Sequence, residues 1–356
     1  MAMAITVVAQ TSDSMVKCWA FREPVSIAGG LLVDDTNVYA VTAEDRVLAL
    51  DRKSGEVAWT SEPGGNITMP IRPFNSSLIV VSRTASSDGK PRASYVRSIS
   101  KATGITNWVT SLPPAAFYNI GGDDKAIYIL AENGPLTAVD LISGTIRWTR
   151  DGAAFAGKDV HLGSNWIARR SSERSIEVMS LEDRKILGRF EVEIYPKVIG
   201  SRTDGTLVVG DARGNLESVS LGGQSNNWSY KAGGAISDLI LRGDNVVAAS
   251  ADNFVYSISL SSGNVEWKRR MPGRINSIGT LAESKLAMTV VGEKTGYILD
   301  LADGRFAGRV ALEGDEEFLG YPLVGDERFV AALTNRGVTA FSAGCPAQKA
   351  AVKAAA

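Results

Sequence analysis

Few side chains in this sequence could carry chemistry. Its 356 residues include one histidine, His161, and two cysteines, Cys18 and Cys345. His161 stands in the segment KDVHL, residues 158–162, and a metal site or a Ser-His-Asp triad built on it would need partners that no motif singles out. No His-rich, CxxC or HExxH pattern occurs, so transition-metal binding finds no support. His161 therefore reads as a structural or channel-lining residue of an inner strand. Asp51, Asp140 and Asp300 invite a reading as acid–base carboxylates. Each, however, occupies the same place in a recurring stretch, just before a tight turn. An Asp there accepts hydrogen bonds from the backbone N–H groups of the turn, a structural task.

That recurring stretch organises the chain. ALDRKSGEVAW ends at Trp59, SISKATGITNW at Trp108, VDLISGTIRW at Trp148 and SISLSSGNVEW at Trp267. Each reads as a strand, a turn with Ser or Thr before or close to Gly, and a second strand carrying Trp four residues after that Gly. The markers fall at Trp19, Trp59, Trp108, Trp148, Gly188, Trp228, Trp267 and Gly308, with spacings of 40, 49, 40, 40, 40, 39 and 41. Eight markers about 40 residues apart predict eight units of a closed repeat architecture. Within a unit, runs of four to six apolar and β-branched residues between Asp, Asn and Gly clusters predict four short antiparallel strands. In the first unit these are residues 27–33, 38–42, 46–51 and 56–61. No stretch longer than ten residues shows a helical period.

The last unit has a second strand (residues 329–333) and a third (337–341), but no outer strand with a Trp follows. The segment MVKCWAF, residues 15–21, is an outer strand with no unit before it. Joined, the two make one blade, so the fold class expected is all-β, an eight-bladed propeller whose N-terminal strand completes the last blade. The domain division expected is an N-terminal extension at 1–13, one propeller over 14–345 and a flexible tail at 346–356.

Composition narrows the function. With 38 basic and 39 acidic residues and a formal charge of -1, the chain lacks the basic stripe of a nucleic-acid-binding surface. No apolar run reaches the roughly 18 to 20 residues of a membrane span. The first ten residues, MAMAITVVAQ, are too short for a signal peptide or anchor helix. Either the protein is cytoplasmic, or an N-terminal membrane signal precedes these residues in the native chain.

The repeat, an Asp and Ser/Thr-Gly turn followed by Trp, resembles that of quinoprotein-type (PQQ-like repeat) β-propellers over residues 14 to 344. In length the chain is similar to the non-enzymatic, BamB-like eight-bladed members. The resemblance implies that Trp packs between neighbouring blades, a role matched by Trp19, Trp59, Trp108, Trp148, Trp228 and Trp267. Where Gly188 and Gly308 stand instead, looser junctions or substitution by Phe190 and Phe306 are expected. Quinoprotein dehydrogenases are longer and use a vicinal Cys pair, a catalytic Asp and a calcium site; the two distant cysteines here do not fit, and no cofactor is expected.

The two cysteines flank the one seam where the ring is not covalently continuous. In the blade alignment Cys345 takes the place of Ser54, in the turn, and Cys18 the place of Ala58, on the outer strand. They are either a disulfide locking the ring or two free thiols. A bridge needs Cα atoms within about 7 Å and an oxidising compartment, which favours an extracytoplasmic location. The 49-residue unit carries about nine extra residues around Arg83, Lys90 and Arg92, between its second and third strands. They form either a solvated loop or a partner-contacting one, since insertions in repeat proteins project from one face. The function expected is a non-enzymatic, monomeric scaffold for other proteins, an accessory subunit of a cell-envelope complex. The alternatives are an extracytoplasmic ligand-sensing domain of a receptor or kinase, and a degenerate quinoprotein enzyme.

Overall fold

The computed structural model describes residues 13–345, apart from residues 68, 86, 88, 133, 152–159, 163–165, 173, 182–184, 192–195, 203–205 and 221–227. Eight antiparallel sheets follow one another along the chain, their strands in sequence order except where N-terminal strands join the last two. Blade 1 is typical: Leu31–Val33, Asn37–Val41, Val47–Asp51 and Val57–Ser61 run from the inner edge to the outer. The second and third strands are the buried pair, reading iBBBB and BBBBi in burial, because both of their faces meet neighbouring blades. The cores accordingly lie between blades. One cluster joins Val41, Val47 and Ala49 of blade 1 to Ile71, Leu78, Val80 and Ile99 of blade 2.

The first strand is shorter than residues 27–33 would suggest. Ile27–Gly29 is a 3₁₀ turn, and only Leu31–Val33 pairs. Gly29 lies so close to Val41 that a Cβ would sit 2.4 Å from its side chain, and Gly30 takes φ +62. The chain must turn there before it can enter the sheet.

The seam closes as the spacing predicts. Val16–Phe21 pairs antiparallel with Gly337–Ser342 and becomes the outer strand of blade 8. Asp13, expected in the extension, belongs to a sheet: Asp13–Ser14 pairs parallel with blade 7, opposite Gly308 and Arg309. The N-terminal chain thus ties blade 7 to blade 8 before completing the ring.

Candidate functional site

Blade junctions repeat one arrangement. The indole N–H donates to the backbone carbonyl of the residue that follows the third strand of the next blade. Trp19 reaches Arg52 O at 3.0 Å, Trp59 reaches Lys101 O at 2.9 Å, and Trp108 reaches Leu141 O at 3.1 Å. Trp228 reaches Leu260 O at 2.7 Å and Trp267 reaches Leu301 O at 2.8 Å. The ring plane lies on the glycine of that turn. A Cβ at Gly55, Gly104, Gly144, Gly263 or Gly304 would stand 2.4–2.6 Å from the indole, and each of these glycines has φ between +66 and +75. Glycine is therefore required twice over, for conformation and for room. Trp148 packs on the cluster holding Tyr128 and Leu181. Arg150 stacks on it, 4.0 Å from the ring centroid, while donating to Leu181 O at 2.8 Å.

The junctions that lost Trp differ. Phe306 does not stand in for a Trp at position 308. It packs against Tyr297 of its own blade, centroids 5.9 Å apart, and remains 46 % exposed. Phe190 lies in the strand Ile186–Glu191, but its side chain is outside the described residues.

Where the turn carries an Asp, that Asp builds it. Asp51 Oδ1 accepts from the N–H groups of Lys53 and Ser54, and Asp140 Oδ1 from those of Ile142 and Ser143. The Ser54 N–H, aided by its hydroxyl, holds the Asp51 carboxyl below the usual range, and Ser143 with Arg147 does so at Asp140. Asp300 accepts from the Ala302 N–H. These carboxylates accept from the N–H groups of their own turns, each in a separate blade, and do not form a cluster poised for proton transfer. His161 pairs through its backbone with Ala168 on the inner strand of blade 4. Among the described residues no three His, Cys, Asp or Glu side chains gather as a metal site would require.

A feature invisible in the sequence makes the disulfide possible. The outer strand bulges at the residue before the Trp position: Ala49 faces Trp59 while Leu50 faces Val57, so Ala58 is extra. The same shift occurs at Asn107, Arg147, Leu187, Glu266 and Ala307. A bulge re-aims the side chain it carries, and at Arg147 it brings the guanidinium back to Asp140, 2.6 Å away. Cys18 is the bulged residue of the last blade. Its side chain meets Cys345 in a disulfide with Cα atoms 5.5 Å apart, closing a separation of 327 residues.

Charges brace the same seam. Glu316, on the connection into blade 8, is 2 % exposed. It accepts from Lys17 Nζ at 3.0 Å, from the Arg22 guanidinium and from Thr339 Oγ1 at 3.0 Å. Burial pushes its carboxyl up, but these donors outweigh burial and hold it below the usual value. On the turn face, Arg52 pairs with Asp326, stacks on Phe329 at 4.5 Å and donates to Asp34 O at 3.0 Å. A carboxyl lowered by folding adds stability above its unfolded value of about 4.5, and loses it as pH falls through the lower folded value. Glu316→Gln is expected to cost about 2 kcal/mol at neutral pH, the scale of hydrogen bonds to a charged group. Urea titrations from pH 7 to pH 3 check this: the gap between wild type and variant should shrink below pH 4.5. A gap constant with pH would contradict it.

The long unit carries its extra residues as strand, where the spacing suggests a loop. Ser77–Ala85 and Pro91–Ser100 pair from Ser77 with Ser100 out to Ala85 with Pro91. The inner strand stops opposite Arg83 and the outer strand opposite Ser94. Residues 84–85 and 91–93 therefore extend the two strands as a ribbon beyond the blade, with Lys90 and Arg92 exposed. Arg83 is half-buried at its root, donating to Ala116 O at 3.1 Å. On the outer strands and turns of blades 2 to 4, large aliphatic residues face solvent: Ile105 is 68 % exposed and Ile142 86 %, with Val109, Ile146, Ile186 and Leu187 also exposed.

Eight four-stranded blades, an N-terminal strand closing the last of them and indole-on-glycine junctions define a PQQ-like-repeat propeller. A family model described as outer membrane protein assembly factor BamB matches residues 4–269 and 172–316, and the chain belongs to that family. The outer membrane protein assembly factor BamB of Yersinia pestis is 20% identical over 323 residues, covering 89% of this chain and 72% of that protein. The crystal structure of BamB from Moraxella catarrhalis superposes with a TM-score of 0.62 at 15% identity, covering 92% of this chain and 97% of that one. The C-terminal WD40 domain of Sif2 reaches a TM-score of 0.67 at 11% identity, with 92% and 97% covered. Both structures are alike in fold.

Proposed function

We propose that this protein is a non-enzymatic interaction platform, an accessory subunit of a cell-envelope complex that works outside the cytoplasm. The observation that carries the reading is the exposed surface of blades 2 to 4, an aliphatic rim on their turns and outer strands, with a cationic ribbon projecting from the opposite end of the blade 2 strands. Large side chains such as Ile105 and Ile142 gain nothing from facing water, and clustered apolar exposure marks surfaces that meet other macromolecules. The relatives' description as assembly factors supports the same reading. The disulfide supports a location outside the cytoplasm, because such bonds persist in oxidising compartments. The rigid ring holds the ribbon in place; Arg83, Lys90 and Arg92 are the residues assigned to partner contact.

Deletion of residues 85–90, joining the two ribbon strands by a Gly-containing turn, removes surface without touching any blade core. The melting temperature should stay within about a degree, since surface changes of this kind fall within roughly 0.5 kcal/mol. Proteins cross-linked to the wild type in its native compartment should be lost from the deletion variant. Recovery of the same proteins at the same yield would defeat the assignment.

A further inference from the structure

The bond that locks the ring is not sealed inside a core. Cys18 and Cys345 both line a pocket of about 460 Å³ on the turn face of the seam. The two sulfurs are unequal there. Cys18 is 7 % exposed and belongs to the apolar cluster between blades 8 and 1, with Leu31, Leu50 and Phe329. Cys345 only packs against that cluster; it is half-buried and follows the exposed Ala343 and Gly344. The remaining walls carry charge. Lys53 of the blade 1 turn and Arg328 of the blade 8 hairpin line the pocket, and both are exposed. Arg52 is held on the wall by its stacking on Phe329 and its pairing with Asp326. Among the described residues that line the pocket, Asp35 is the one carboxylate.

We propose that this pocket is a thiol–disulfide exchange site that admits a small anionic thiol to Cys345, and that the closing bond of the ring is opened and made through it. The proposal stands independently of the platform reading. Exchange requires a thiolate to reach one sulfur while the other leaves, so access selects the sulfur attacked. The incoming thiolate forms a bond to Cys345 Sγ as the bond to Cys18 Sγ breaks, and Cys18 leaves as a thiolate that takes a proton from solvent. A second thiolate then attacks the small molecule's own sulfur in the mixed disulfide and releases Cys345 as a thiolate. Two small thiols are oxidised to one small disulfide while the two ring sulfurs are reduced, so the electrons balance. The same steps in reverse close the ring: the Cys18 thiolate attacks the mixed disulfide on Cys345 and expels the small thiolate. Arg52, Lys53 and Arg328 favour the anions on this path, because Lys and Arg beside a sulfur stabilise its thiolate. A further negative charge on the incoming molecule meets the same cations, which is why the pocket selects an anionic thiol. Its volume lies within the roughly 300–1,000 Å³ of small-molecule sites, the scale of a small thiol and not of a folded protein's face.

The test uses the oxidised full chain and three thiols of similar size: 2-mercaptoethanesulfonate, 2-mercaptoethanol and cysteamine, which are anionic, neutral and cationic. Bond opening is followed by alkylation and intact mass at equal thiolate concentration. Each rate is divided by that for the disulfide of N-acetylcysteine amide, which has no pocket around it. The sulfonate should be favoured over mercaptoethanol by roughly three- to tenfold, the scale of one or two cations several ångströms away, and cysteamine should be disfavoured. The preference should fall away in about 1 M salt, where the Debye length is about 3 Å. Replacing both rim cations, by Lys53→Gln with Arg328→Gln, should remove the preference and leave the melting temperature in place. Mass spectrometry of the trapped mixed disulfide should find the small thiol on Cys345. Equal relative rates for the three thiols, a preference that survives in the double variant, or an adduct on Cys18 overturns the proposal. Should the double variant not fold, the salt series on wild type decides the same point, and a preference unchanged by salt overturns it. Opening at a rate independent of thiol concentration overturns it as well, because the bond would then react only after the seam unfolds.

Discussion

Trp267→Ala should lower the stability of the ring by about 3–5 kcal/mol, the range for truncating a buried Trp. The indole is 9 % exposed and lies against Gly304, whose Cβ position would be 2.4 Å from the ring. Removing it opens a cavity between blades 6 and 7 and leaves Leu301 O without its 2.8 Å donor. The adjacent cluster joins Val247 and Val255 of blade 6 to Ile275, Leu286 and Met288 of blade 7, so it loses its outer cover. Trp267→Phe keeps most of the apolar contact and loses only the donor. It should cost less than the Ala variant, with about 1 kcal/mol of its cost coming from the lost hydrogen bond. Ile142→Ala, at 86 % exposure, is the control and should change stability by no more than about 0.5 kcal/mol. Chemical denaturation of the three variants decides the matter. Equal, small losses for Trp267→Ala and Ile142→Ala would mean that the indole does not hold blade to blade.

Reduction of the Cys18–Cys345 bond should weaken the protein at its seam and leave individual blades folded at first. The bond closes a separation of 327 residues. In the chain-entropy model such a loop stabilises by on the order of 5 kcal/mol, and losses of about 2–5 kcal/mol are measured on removing native disulfides. Ring closure does not rest on the bond alone: Lys17 and Arg22 still meet Glu316, and Trp19 still meets Arg52 and Gly55. Reduced protein should therefore remain folded at room temperature but unfold at a lower temperature, beginning with hydrogen exchange in Val16–Phe21 and Gly337–Ser342. Cys18→Ser, Cys345→Ser and the double variant should lose the same amount, because each removes one and the same bond. Intact-mass analysis with and without alkylation gives the direct reading. Two alkylatable thiols in protein purified from its native compartment would end both the disulfide role and the compartment argument drawn from it.

Much of this architecture is local and could be read directly. Eight markers at about 40-residue spacing determined the number of blades, because each blade is one short-range unit of strand, turn and strand. Asp51 and Asp140 were legible as turn builders because the N–H groups they accept from lie two and three residues away. The unpaired outer strand near the N-terminus and the incomplete last unit left one arrangement that consumes both, and Val16–Phe21 takes it.

What only the tertiary structure decided involves partners far apart in sequence, or backbone shifts that no residue type announces. The bulge that turns Cys18 towards Cys345 falls on Ala, Asn, Arg, Leu, Glu, Cys and Ala in successive or separated blades, so composition carries no sign of it. Glu316 lies 299 residues from Lys17, and nothing near either residue foretells the other. The insertion around Arg83 to Arg92 reads as a loop, yet at Thr84, Ala85, Pro91 and Ala93 strand pairing propagates outward from a ladder already in place. Phe306 had the right type to replace a missing Trp, but its own neighbour Tyr297 holds it. Position 308 is the sharpest case. In sequence it is a marker that lost its Trp; in space its backbone pairs with Asp13 and a cavity lies beside it, because the strand laid along it comes from the other end of the chain.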